Sequence, residues 1–316
     1  MAQTGTRKVV IIGAGQVGST FAYALQISGA AGEIVLVDLD RELAEAEALD
    51  MNHGLFFTPP AQIRAGDYDE CADADIVVIT AGASQEEGQS RMELVDQNVT
   101  ICRSIVDSIS EYTTEAILLM VTNPVDVLTY AALKCSDYPP ERVIGAGTVL
   151  DTSRFRYLLS RNCRVDPHNV HGYVLGEHGD SEVIAWSIAS IAGMKLDEKC
   201  PSCPRLQRCN KEGIAEDVRN SAYHLISAKG ATNWAVGLAL VRIVTAILRD
   251  EKSVLTVSSL INGSYGIEDL CLSIPAVLGS DGVEDLIRPG LSEEDEQALR
   301  ASAEAIDEVL REVNLK

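Results

Sequence analysis

In the first half of the chain, short and almost continuously apolar runs alternate with segments of helical periodicity. The runs are KVVIIG (8–13), EIVLVD (33–38), DIVVIT (75–80), AILLMVT (116–122) and RVIGAG (142–147). They are rich in Val and Ile and show no polar face, as expected of parallel strands covered on both sides. Segments 18–29, 41–52, 91–110 and 125–134 between them read as helices. Strand–helix alternation of this kind predicts a doubly wound parallel sheet. Beyond about residue 150 the pattern changes. HNVHGYVLGEHG and SEVIAWSIASIAG read as shorter strands with Gly-rich ends, and long helices follow over 212–228 and 233–249. VLTVSSLING and CLSIPAVLG suggest antiparallel strands, and SEEDEQALRASAEAIDEVLREV is an amphipathic helix that Ser292 caps, with acidic residues in its first turn. The expected architecture is therefore α/β over 1–147, then a mixed α+β domain over 148–316, with Gly145 and Gly147 as the breakers between them.

Composition narrows the possible partners. The chain has 316 residues, 46% of them apolar, enough for a large core and two domains. Lys and Arg number 26 against 47 Asp and Glu, a formal charge of −21, which argues against nucleic acid and against anionic membrane surfaces. No apolar stretch is long enough to span a bilayer, and the N-terminal apolar run leads into a glycine turn and not a cleavage site. The eight cysteines, without a secretory signal, suggest reduced thiols and a cytoplasmic protein. An anionic substrate would have to meet a local concentration of basic residues.

Gly13-Ala14-Gly15-Gln16-Val17-Gly18 fits G-x-G-x-x-G and lies between a strand and a helix. In that context the first Gly allows the tight turn, the second allows a pyrophosphate to approach the backbone, and the third allows close helix–strand packing. Asp38, twenty residues after Gly18, ends the next strand. A carboxylate there accepts from ribose hydroxyls and repels a 2′-phosphate, so NAD is expected over NADP. The first half thus reads as a Rossmann-type NAD-binding domain.

Five further segments follow in order: AGASQEEGQSR (81–91), TNPVDVLTY (122–130), GTVLDTSRFR (147–156), GEHGDSEV (176–183) and KGATNWAVG (229–237). With the glycine turn, they resemble the lactate/malate dehydrogenase family over about residues 7–312, and within it the bacterial L-lactate dehydrogenases. The resemblance implies reversible reduction of a 2-keto acid by NADH in a second, substrate domain. That chemistry needs a proton donor titrating near neutrality, and of His53, His168, His171, His178 and His224 only His178 stands in the family's GEHGD motif. Asp151 matches the carboxylate that pairs with it. Arg154, three residues on and on the same helical face, matches the bidentate clamp for the substrate carboxylate. Arg91 matches the loop arginine that polarises the reacting carbonyl. Asn123 matches a residue at the carbonyl and nicotinamide, and Thr232 a pocket-lining residue. Gly13, Gly15, Gln16, Val17, Gly18, Asp38, Thr80, Ala81, Gly82 and Asn123 match cofactor positions.

Gln85 bears on substrate choice. In the family, Gln here accompanies lactate dehydrogenase and Arg accompanies malate dehydrogenase; oxaloacetate's second carboxylate needs a cation and pyruvate's methyl does not. The implied pair is pyruvate and L-lactate, with malate or another L-2-hydroxy acid as the alternative. The resemblance also implies a homotetramer, with apolar residues of 41–55 and 149–160 facing partner subunits. Arg156 and His171 match the positions that hold fructose 1,6-bisphosphate in allosteric members. His171 precedes His178 by seven residues, which on one extended strand would put them on opposite faces, although Gly176 intervenes. Finally, Cys200-Pro-Ser-Cys203 and Cys209 contain the C-x2-C spacing of half a zinc site. A fourth ligand is not evident nearby, unless Cys71, Cys163 or another chain supplies it. The expectation is a loop of reduced thiols with no metal.

Overall fold

The computed structural model describes residues 7–84, 88–196 and 210–316. The parallel strands are β1 (Lys8–Ile12), β2 (Glu33–Val37), β3 (Gln62–Ala65), β4 (Ile76–Ile79), β5 (Ile117–Met120) and β6 (Val143–Gly145). They lie side by side as β6-β5-β4-β1-β2-β3, so the strand order reverses at β1 and β4. Four of the five predicted runs become strands buried along their whole length, and the fifth, β2, is buried in all but its first residue. The sequence pattern misses β3. It is an edge strand in which only Ile63 is buried, so it lacks a continuous apolar run.

The helices are α1 (Gln16–Ser28), α2 (Arg41–His53), α3 (Arg91–Ser110), α4 (Val125–Lys134), α5 (Val149–Cys163), α6 (Lys211–Lys229), α7 (Trp234–Leu248) and α8 (Glu293–Glu312). Their starts follow the chemistry of their first residues. The Asp40 carboxylate accepts from Leu43 N, Ser90 and Glu93 form a capping box, and Ser292 accepts from Asp295 N ahead of four acidic residues. Alternate residues of β1 enter two cores. Val10 and Ile12 join α3, α4 and α8 on one face of the sheet, and Val9 and Ile11 join α1, α2 and α7 on the other.

The second half is built of short strands: β7 (Val170–His171), β8 (Val174–Leu175), β9 (Val183–Ile184), β10 (Ser190–Ile191), β11 (Met194–Lys195), β12 (Ser253–Leu255), β13 (Ser258–Ile261), β14 (Leu270–Ser273), β15 (Ala276–Gly279) and β16 (Gly282–Leu286). β13 and β14 are antiparallel, as the pattern predicts, and they extend the parallel sheet beyond β6. The second half therefore supplies two strands and two covering helices, α7 and α8, to the first. The segments that follow β5 and β6 thereby meet α5 and α7 around one cavity, where the site forms.

Two expectations need correction. His171 and His178 do not share a strand: His171 ends β7, paired with Ser190, and His178 lies in the loop after β8. The chain leaves β7 at Gly172, where an added Cβ would lie 2.6 Å from the Phe155 ring. The apolar residues of 149–160 are also mostly internal. Val149, Leu150, Phe155 and Leu159 are buried within this chain, and only Tyr157 is well exposed. On 41–55 Leu43 and Leu49 are exposed, and beyond it Phe56 and Phe57 are almost fully so.

Candidate active site

The glycine turn is shaped by its neighbours. Gly13 has φ of +107°, and an added Cβ there would lie 2.7 Å from Ala81 N. A Cβ on Gly18 would lie 1.9 Å from Gly13 O, so helix and turn touch backbone to backbone. Over Gly15, the residue that caps α1, the space is open. The Thr80 hydroxyl donates to Gly13 O at 2.9 Å and ties the turn to the end of β4. Asp38 accepts from Ala14 N at 2.6 Å and from Asp40 N at 2.9 Å, which leaves further lone pairs on both oxygens. Gly13, Gly15, Asp38, Thr80, Ala81 and Gly82 line one cleft of about 790 Å³. An open helix N-terminus above a tight glycine turn, with a carboxylate at the end of the next strand, fits a dinucleotide. Gln16 begins α1, and Val17 faces a second cavity.

That second cavity, about 160 Å³, is lined by Val17, Asn123, Arg154, His178 and Thr232, among others. It lies where the two halves meet, and its polar groups are held by a chain of bonds. Asp151 is almost completely buried in the first turn of α5. Its Oδ2 lies 2.5 Å from His178 Nδ1, and its Oδ1 accepts from Arg154 Nη1 at 2.8 Å. One carboxylate thus orients both an imidazole and a guanidinium. Burial pushes the Asp151 carboxyl up, but His178 and Arg154 more than offset this and hold it below its ordinary value. Burial works against a charged His178, yet Asp151 and then Asp126 overcome it and raise the imidazole to about 9.

Two buried residues that the sequence reading does not assign complete the support. Asp126, on the first turn of α4, accepts from His178 N at 2.8 Å and fixes the loop that carries the imidazole. Its other oxygen and the Ser258 hydroxyl are buried close to one another without forming a bond of normal geometry, and burial raises the Asp126 carboxyl to about 6. Asn98, on α3, accepts from Ala83 N at 2.8 Å and donates to Asn123 O at 3.0 Å. It joins the start of the 81–91 loop to the residue beside the cavity.

Arg91 stands apart from this group. Its side chain is 67% exposed, and it lies 3.4 Å from Asp180 and 3.9 Å from Glu177. Gln85 lies outside the described residues, as do Cys200, Cys203 and Cys209. Cys71 is fully buried in the core of the first half. Among the described residues, no group of three or more His, Cys, Asp or Glu is placed to hold a metal ion. Arg156, two residues beyond Arg154, faces away from the cavity. It donates to Gly172 O at 3.1 Å, and its guanidinium lies 5.4 Å from the centre of the Tyr173 ring. The His171 side chain is exposed.

Residues 7–145 match the lactate/malate dehydrogenase NAD-binding domain, and residues 148–315 match the α/β C-terminal domain of the same enzymes. The chain belongs to the lactate/malate dehydrogenase family. An L-lactate dehydrogenase of Acetivibrio thermocellus is 49% identical over 98% of both chains, and one of Treponema denticola is 51% identical over 98% of both. A lactate dehydrogenase from a Medee basin deep-sea metagenome library superposes with a TM-score of 0.95 at 43% identity, over 98% of this chain and 99% of that one. These matches agree with the fold. The chain carries the family's NAD-binding domain, in which the cleft at the glycine turn lies, and Val17, next to that turn, lines the 160 Å³ cavity.

Proposed function

We propose that this chain is an NAD-dependent L-lactate dehydrogenase that reduces pyruvate to L-lactate and runs in reverse on L-lactate. The observation that carries this reading is the single carboxylate of Asp151 holding His178 and Arg154 against one small cavity beside the NAD cleft. The bound nicotinamide nucleotide supplies the hydride. With Nδ1 committed to Asp151, His178 has Nε2 left for the substrate. It holds a proton there and gives it to the reacting carbonyl oxygen, or takes it back from L-lactate. Arg154 receives the substrate carboxylate, and Asn123 and Thr232 bound the space left for a small side chain. Arg91 supplies the remaining polarising charge once it leaves Asp180 and Glu177. The test is NADH consumption: oxidation at 340 nm on adding pyruvate supports the enzyme, and NADH binding without turnover contradicts it.

Malate dehydrogenase is the less favoured reading, because Gln85 replaces the cation that a second carboxylate needs and the acids Glu86 and Glu87 follow it. Converting Gln85 to Arg is expected to raise kcat/KM for oxaloacetate and lower it for pyruvate, a shift in ratio of at least about tenfold, as one charged hydrogen bond would give. A substrate panel on the purified variant checks it.

The division at 147/148 into an NAD-binding and a substrate domain, the cytoplasmic location and the homotetramer belong to the same proposal. None of the described helices is long and apolar enough to cross a membrane. Exposed Leu49, Phe56, Phe57, Tyr157 and Leu238 support burial against further subunits. Fructose 1,6-bisphosphate is proposed as an effector held by Arg156 and His171 of two subunits. Arg156 is partly buried and has no carboxylate partner among the described residues, and burial lowers its pKa, so a phosphate would supply the missing counter-charge. Addition of the bisphosphate is expected to lower KM for pyruvate. Arg156→Gln should abolish that response while kcat at saturating pyruvate persists.

A further inference from the structure

Asp126 is 2% exposed and stands in the first turn of α4, next to Val125 and three residues beyond Asn123, both of which line the 160 Å³ cavity. It belongs to the half of the chain that matches the NAD-binding domain, whereas His178 belongs to the other half. The Asp126 carboxylate nevertheless accepts from the His178 backbone N–H at 2.8 Å. The same loop is pinned at its stem by other elements. Gly176 exchanges two backbone bonds with Ser273 of β14, and Ser302 of α8 accepts from Glu177 N at 2.8 Å. The bond to Asp126 is the one that reaches the backbone of the residue carrying the imidazole.

We infer that Asp126 is a positioning residue for proton transfer: it registers His178 against the NAD-binding half, so that the imidazole and the nicotinamide address one carbonyl group. The inference rests on the reading of His178 as the proton donor.

His178 is held at two points. Asp151 of α5 holds the ring at Nδ1, and Asp126 of α4 holds the backbone from which the side chain starts. A bond at the ring alone lets the imidazole follow any shift of its loop, and the bond at the backbone removes that freedom. Hydride and proton go to adjacent atoms, the carbon and the oxygen of one carbonyl, so a displacement of about 1 Å can cost about a hundredfold in rate. A carboxylate acceptor makes the anchoring bond stronger than a neutral one. The amides of the first turn of α4 favour that negative charge where burial opposes it. Around the carboxylate stand Glu177 and His178 of the loop, Cys271 of β14 and the Ser258 hydroxyl of β13. Without Asp126 the His178 N–H loses its acceptor, and the loop is free to shift toward another one.

A double-mutant cycle at pH 7.5 tests this on the full-length enzyme with pyruvate and NADH. Asp126→Ala is expected to lower kcat/KM about a hundredfold. Asp126→Asn still offers an oxygen to His178 N while its NH2 faces the Ser258 hydroxyl, and it should stay within about tenfold of wild type. In a His178→Asn background, Asp126→Ala should cost less than about twofold more, because its effect passes through the imidazole; a merely structural loss would recur there in full. Oxamate, an unreactive isostere of pyruvate, should bind the enzyme–NADH complex about tenfold more weakly in Asp126→Ala, while NADH affinity is unchanged. If the Ala variant fails to bind NADH, Asp126→Ser takes its place, since its hydroxyl is one bond too short to reach the amide. An Ala or Ser variant within about tenfold of wild type, an Asn variant as impaired as Ala, or a loss that recurs undiminished without His178 would each overturn the inference. A wild type that turns over no 2-keto acid would instead count against the reading of His178 itself.

Discussion

Replacing His178 by Asn is expected to lower kcat/KM for pyruvate by about a thousandfold. A positioned general acid contributes roughly 10²–10⁴ in rate, and among the described residues no other group with a proton to give at neutral pH lines the 160 Å³ cavity. Arg154 also lines it, but a guanidinium does not release its proton. Asn keeps the backbone N–H that Asp126 accepts, so the loop stays anchored and the loss falls on chemistry. NADH binding, followed by fluorescence titration, should change little, because the cleft at Gly13, Asp38 and Thr80 does not include His178. A variant that keeps more than about a tenth of wild-type kcat/KM would remove His178 from the proton-donor role.

The second large effect is a displaced pH profile in Asp151→Asn. In the wild type the folded His178 is raised from its ordinary 6.5 to about 9, so it keeps its proton below pH 9 and loses it as the pH rises through that value. Pyruvate reduction needs the protonated form, so its kcat/KM holds to about pH 8 and falls above 9; L-lactate oxidation needs the neutral form and moves the opposite way. The substitution removes the largest raising influence and returns His178 to 6.5 or below, because burial then acts with less opposition. From titration alone the loss at pH 8 is at least about thirtyfold, and it is more than about twentyfold smaller at pH 6. Loss of the bond that orients the imidazole adds a pH-independent factor. Initial rates of both directions across pH 6–10 separate the two contributions. An unshifted profile would mean that Asp151 does not control the proton on His178.

How much of this can be read from the sequence depends on how local each signal is. Helices α2, α3 and α4 match the spans expected from their periodicity to within one residue, and Asp40, Ser90 and Pro124 stand at their starts. The full-length apolar strands stand out for the same reason, whereas β3, with one buried residue, does not. Asp151 and Arg154 sit one helical turn apart, a pairing that spacing alone suggests. Their link to His178, 27 residues from Asp151, comes only through the resemblance. Asp126 and Asn98 carry no signal of their own. A buried carboxylate or amide matters here because of groups that folding brings to it from 15 to 52 residues away, and no periodicity encodes that. The pattern misplaces His171 because it continues across Gly172, where close packing on Phe155 breaks the strand.

The central claim is that one small cavity, holding Arg154 and His178 beside the NAD cleft, reduces a monoanionic 2-keto acid. The most direct test compares kcat/KM for pyruvate and oxaloacetate with NADH on the same purified enzyme at pH 7. The account predicts a clear preference for pyruvate, about tenfold or more given one unpaired substrate carboxylate. A higher kcat/KM for oxaloacetate, or turnover of neither acid, would contradict it.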